Sequence, residues 1–208
     1  MVHDELAVTR RSLHGVAELV LAGPQYRATG RLRLRVVPGG FATTMAPPLR
    51  VDGSVVAAAE GATVAIGGRT LRDLGAELGV AAGRPEGAYD GGSGVGPDET
   101  LALDAGLAGV IVGALVLGQE ALVAFAAAET PVLWPEHFDV AIRVGDVNYG
   151  VSPGDGFMAE PYAYVGVASA PAGEAFWNAP FGAAVPLRQL PGAPAVSGFF
   201  AEGRERAR

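Results

Sequence analysis

The chain contains no cysteine and no lysine, and all 15 of its basic residues are arginine. Each absence removes a chemistry. Without an amine there is no Schiff base, hence no covalently held pyridoxal phosphate, and no phosphate-loop lysine for a nucleotide site. Without a thiol there is no thiolate nucleophile, no Cys-ligated zinc or iron–sulfur cluster and no disulfide. Histidine is scarce at three residues, and no HExxH or HxH spacing occurs, so no metal site is expected. Positive charge is also short: the net formal charge is −7 and the pI about 4.9, a field that repels phosphate backbones and anionic lipid surfaces. Nucleic acid and membrane are therefore not expected partners. The start shows neither a positive leader nor an apolar h-region, so the expected compartment is the cytoplasm. The uncharged run Ala105 to Gly118 spans fourteen residues, fewer than the ~20 of a membrane-crossing helix, and reads as a buried helix.

What is present is half apolar, with 31 glycines and 15 prolines in 208 residues, the composition of a globular chain with many turns. Asp4 to Ala22 carries Leu6, Leu13, Val16, Ala17, Val20 and Leu21 at helical spacing, and Gly23-Pro24 reads as its stop. Short β-type runs follow at Leu32–Val37, Leu49–Asp52, Val55–Ala58 and Thr63–Ile66, divided by turn pairs that include Glu60-Gly61. Arg31, Arg33 and Arg35 alternate with apolar residues and share one solvated strand face. Thr70 with Asp73 has the form of an N-cap opening a short helix to Leu78. Residues 81–97 form a Gly/Pro-rich loop. Its Gly91-Gly92-Ser93-Gly94-Val95-Gly96 lacks both GxGxxG spacing and a partner lysine, so it does not read as a phosphate-binding loop, and no cofactor is expected. Asp98 to Ala128 reads as a long helix whose Ala102, Gly106, Gly109 and Gly113 invite close approach by another backbone, the first helix rather than a dimer mate.

The informative segment is Val132 to Gly182, which holds both tryptophans, three of five tyrosines and four of eight phenylalanines. Gly145-Asp146 between two β-type runs signals a hairpin with Val144 opposite Val147, Arg143 opposite Asn148 and Ile142 opposite Tyr149. Asp139, Arg143, Asn148 and Ser152 then share a polar face. Tyr162 and Tyr164 share a face of the next strand, and Phe176-Trp177-Asn178 is too aromatic for an ordinary loop. Trp134, Tyr162, Tyr164 and Trp177 would supply contact area in a pocket for a small polar ligand. Glu136, His137, Asp139, Arg143, Asn148 and Asn178 would orient the ligand. For catalysis the residues to weigh are His137 as general base oriented by Asp139, or a carboxylate pair drawn from Glu136, Asp139, Asp155 and Glu160.

Taken together, LHGVAELVLAGPQYR, PVLWPEHFDVAI, VNYGVSPGD, EPYAYVG and FWNAPFGA resemble a family of uncharacterised actinomycete proteins with no assigned activity. The resemblance implies a bacterial cytosolic setting and transfers no catalytic residue.

The expected architecture is a single α+β domain over residues 1–208. It has a mostly antiparallel twisted sheet, with an N-terminal helix and a long central helix packed on one side. Three functions compete: binding of a small polar ligand by the C-terminal segment, a hydrolase using His137/Asp139 or a carboxylate pair, and a structural protein that forms a homodimer through the same face.

Overall fold

A computed structural model describes residues 2–59, 61–170 and 174–208, apart from the side chains of Val2 and His3. Glu60 of the expected Glu60-Gly61 turn lies outside the described residues. The fold is α+β, with ten strands among the described residues, whose assigned neighbours pair antiparallel. The chain divides into two compact units, Met1–Gly113 with Leu133–Phe138, and Ala114–Val132 with Asp139–Arg208. The Gly/Pro-rich loop falls inside the first unit.

In the first unit, helix α1 (Val2–Gly15) runs on through a π-helical segment (Val16–Ala22) into α2 (Gly23–Thr29), which ends at Gly30 with φ +71°. Gly23-Pro24 therefore does not stop the helix. The Gly23 N–H already donates to the Glu18 carbonyl in the wide π register. Pro24 then enters at the first turn of α2, where a missing N–H is tolerated. Strands β1 (Leu34–Val37), β2 (Gly40–Thr43), β3 (Leu49–Asp52), β4 (Val55–Ala58), β5 (Thr63–Ala65) and β6 (Val132–Trp134) follow the order β6-β1-β2-β3-β4-β5. The sequence reading missed β2. Gly39, at φ +81°, lets β1 turn straight into it. Leu13, Val20 and Leu21 of the helix join Leu34, Phe41, Val51 and Val56 of the sheet in the buried core. Helix α3 (Leu71–Glu77) is capped as expected, with Thr70 Oγ1 accepting the Asp73 N–H at 3.1 Å.

Helix α4 (Ala105–Phe125) begins seven residues later than the sequence suggested, where Asp104 accepts the Leu107 N–H at 2.8 Å. Its 21 residues and mean hydropathy of 2.0 are long and apolar enough to cross a membrane by length and composition alone. Ala108 and Ile111 are buried in the first unit and Leu115, Ala121 and Leu122 in the second, while Val110 and Val123 are exposed. A Cβ at Gly109 or Gly113 would meet nothing within 4 Å, so the expected close approach does not occur there. The close approach is instead to strand residues, at Gly118, where a Cβ would stand 2.7 Å from Val140 Cγ1 and Val151 Cβ.

In the second unit, β7 (Asp139–Val144), β8 (Val147–Ser152), β9 (Tyr162–Gly166) and β10 (Gly182–Pro186) form the order β10-β9-β8-β7. The hairpin register is the expected one, turning at Gly145 with φ +60°. Helix α5 (Gly192–Arg206) carries Arg204 and Arg206 in its last turn. Its Phe200 packs on Tyr149 (5.9 Å) and Phe125 (5.7 Å), Arg204 lies over the Phe125 ring, and Gly203 sits where any Cβ would strike Val165. Helices α4 and α5 thus cover the Val140, Tyr149, Val151 and Val165 face of this unit.

Candidate functional site: a tyrosine–aspartate layer on the sheet face opposite α4 and α5

Strand alternation sends Asp139, Gly150, Ser152, Tyr162 and Tyr164 to the face opposite α4 and α5. The Tyr164 hydroxyl donates to Asp139 Oδ2, and Asp139 is buried. The Tyr162 hydroxyl donates to Asp155 Oδ2 at 2.6 Å, while Asp155 Oδ1 accepts the N–H groups of Phe157 (2.8 Å) and Met158 (3.1 Å). Asp155 therefore folds the loop after β8 around its own carboxylate. Ser152, paired in register with Tyr162, accepts the Gly154 N–H at 3.1 Å. Gly150 makes room for this layer, since a Cβ there would lie 2.5 Å from the Tyr164 ring and hydroxyl. Phe157 and Phe181 form an aromatic rim, 5.0 Å from each other and 5.9 to 6.1 Å from the two tyrosines. Burial first, and the neighbouring carboxylates second, push both phenols well above the usual tyrosine value, so both remain hydrogen-bond donors at neutral pH.

Other predicted site residues lie elsewhere. Arg143 and Asn148 are exposed near the hairpin tip, where Arg143 binds the Gly145 carbonyl and Asp146. Asn178 is a structural clamp: its amide donates to Ala184 O (3.0 Å) and accepts from Ala184 N (2.9 Å), covering the outer edge of β10 as a further strand would. Trp177 packs edge-on against Phe176 at 4.9 Å. Trp134 belongs to β6 in the first unit, under the Arg33 guanidinium at 5.7 Å.

Glu136 and His137 occupy a first-unit turn closed by Phe138 N–H donating to Trp134 O. Phe138 stands at φ +56°, rare for a bulky residue, and β7 begins directly after it, at Asp139. Its ring stacks on His14 at 5.3 Å, and His14 Nε2 donates to the Pro135 carbonyl at 2.7 Å. His137 is exposed, and Glu136 Oε2 is buried with no hydrogen-bond partner among the described residues. Burial, the largest influence, lowers the His14 value below the ordinary 6.5, so His14 is neutral at pH 7. A folded value below the unfolded one contributes stability that is present above pH ~6.5 and lost as the pH falls through the folded value. Thermal melts at several pH values should show the native chain losing ground to a His14→Gln variant on the acid side. Parallel curves would remove His14 from the acid response.

The sequence reading missed Glu18 altogether. It is 0% exposed, and its Oε1 accepts from Arg84 Nε (3.0 Å) and Tyr89 Oη (3.2 Å). Its Oε2 accepts from Ser93 N (2.8 Å) and Ser93 Oγ (2.6 Å). Arg84 also donates to Gly91 O, and Gly92, at φ +95°, leaves no space for a Cβ beside the carboxylate. The Gly/Pro-rich loop is thus a strap fastened to the π-helical segment. The available sign of it was a lone carboxylate inside the apolar run Val16–Ala22.

Among the described residues no group of three or more His, Asp or Glu side chains forms a metal-ligand set. Comparison with protein-family models, curated proteins and solved structures finds no match to the chain. The functional reading therefore rests on the geometry.

Proposed function

We propose that the chain binds a small, hydroxyl-rich ligand on the sheet face of β7 to β9, a cyclic polyol or sugar being the chemical class. One observation carries this reading. Two tyrosine–carboxylate pairs share a face beside a hydroxyl, and Gly150 keeps space for the Tyr164 ring. Carboxylate oxygens keep acceptor sites after receiving one phenolic proton each, and the Phe157 and Phe181 rings offer apolar area to the carbon-bound face of a sugar ring. The resemblance to uncharacterised actinomycete proteins belongs to the same proposal and supplies no activity.

Calorimetry with a panel of monosaccharides, disaccharides and inositols tests the reading. A panel member should bind, and Asp155→Asn and Tyr164→Phe should each weaken it about tenfold or more while the protein stays folded, because each removes or redirects a charge-assisted hydrogen bond. Binding by no panel member, or equal binding by both variants, would overturn it. The pairing of Asp139 and Asp155 within one tyrosine layer also favours a second reading, acid/base hydrolysis of a glycoside. That reading requires turnover of an aryl glycoside that disappears in Asp139→Asn.

A further inference from the structure

A concavity of about 400 Å³ lies in the second unit among the segment Ala175–Asn178, β10 and α5. It is separate from the tyrosine–aspartate layer, and its volume falls within the roughly 300 to 1,000 Å³ of small-molecule sites. Its lining mixes apolar side chains, Phe176, Phe199, Val185 and Leu190 among them, with two polar ones, Asn178 and the charged Glu202. The Phe176 and Phe199 ring centroids are 5.4 Å apart at an interplanar angle of 37°. Both rings are held. Phe199 also contacts Phe200 of the core at 6.0 Å, and Phe176 is braced by Trp177 and by the Arg206 guanidinium at 5.1 Å. The Asn178 clamp on Ala184 fixes the segment to the sheet edge. Two carboxylates, Glu174 (3.0 Å) and Glu202 (2.8 Å), share the single guanidinium of Arg206, so this cluster carries a net negative charge.

We propose that this concavity binds a small arylalkyl ammonium ion, with the ring against Phe176 and Phe199 and the ammonium on Glu202. Glu202 can exchange its contact with Arg206 for the ligand while Arg206 keeps Glu174. The shape excludes nothing about charge by itself, but the carboxylate excess selects a cation over an anion of equal size.

The test uses phenethylamine, its neutral counterpart 2-phenylethanol and the anion phenylacetate, with affinities read by ligand-observed NMR and calorimetry on the full chain. Phenethylamine should bind best and phenylacetate worst. Ala195→Trp, which fills the space, should abolish binding of all three. If that variant melts early, Ala175→Trp on the opposite wall replaces it. Glu202→Gln should weaken phenethylamine about two- to fivefold, the scale of an exposed ion pair, and leave 2-phenylethanol unchanged. The proposal falls if no probe binds at millimolar concentration, if both tryptophan variants bind as the native chain does, or if phenylacetate binds best. Sugar binding by the tyrosine–aspartate layer should be unaltered by these variants, so the two sites fail or stand separately.

Discussion

Glu18→Ala should destabilise the first unit by about 3 kcal/mol and release the strap formed by residues 84–96. The carboxylate is fully buried, and four donors from Arg84, Tyr89 and Ser93 converge on it. Removing one side of a buried, hydrogen-bonded ion pair generally costs about 3 to 5 kcal/mol. The lower end applies here because the Arg84 side chain is 46% exposed and can return to water, whereas the Ser93 N–H cannot do so without moving the loop. For a chain of this size the loss corresponds to a fall in Tm of roughly 6 to 12 °C. Hydrogen exchange should show protection lost at Ser93 and its neighbours while β1 to β4 keep theirs. Gly92→Ala should produce the same local signature from the other side, since its Cβ would stand 2.2 Å from Glu18 Oε1 at a backbone angle unfavourable to alanine. A Glu18→Ala chain that melts like the native one, with the strap still protected, would show that the loop is held by other contacts.

The second large effect is expected within α4, where glycines of the same helix should respond with opposite signs. Gly118→Val should destabilise the second unit by about 3 kcal/mol or more, because even the first added carbon would lie 2.7 Å from Val140 Cγ1 and Val151 Cβ, in a packed core without space to relax. Gly113→Ala should stabilise by up to ~1 kcal/mol, since its Cβ enters open space and alanine is the better helix former. Paired denaturant melts decide the matter. If Gly118→Val were neutral, or Gly113→Ala destabilising, the placement of α4 against β7 and β8 would be wrong.

Sequence reading succeeds elsewhere, where the chemistry is local. Gly145-Asp146 between alternating runs fixes the register of β7 and β8 because a two-residue turn leaves one pairing that buries Val140, Tyr149 and Val151 together. Thr70 and Asp73 announce α3 because a cap is local chemistry. The tyrosine face of β9 follows from a period of two. What escaped was non-local. The sequence cannot show that Glu18 meets Arg84, Tyr89 and Ser93, which follow it by 66 to 75 positions. Nor can it show that Gly23-Pro24 sits where a π register dispenses with a donor. Asn178 looked like a ligand-binding amide because an edge clamp and a binding group have the same composition.

We propose the Asp139, Ser152, Asp155, Tyr162 and Tyr164 layer as the ligand surface. Amide chemical-shift mapping on the isotope-labelled chain, titrated with the sugar and inositol panel, tests it most directly. Saturable shifts should centre on residues 139, 150 to 157 and 162 to 164, and should disappear in Tyr164→Phe. Absence of shifts throughout the panel, or saturable shifts confined to other parts of the chain, would contradict it.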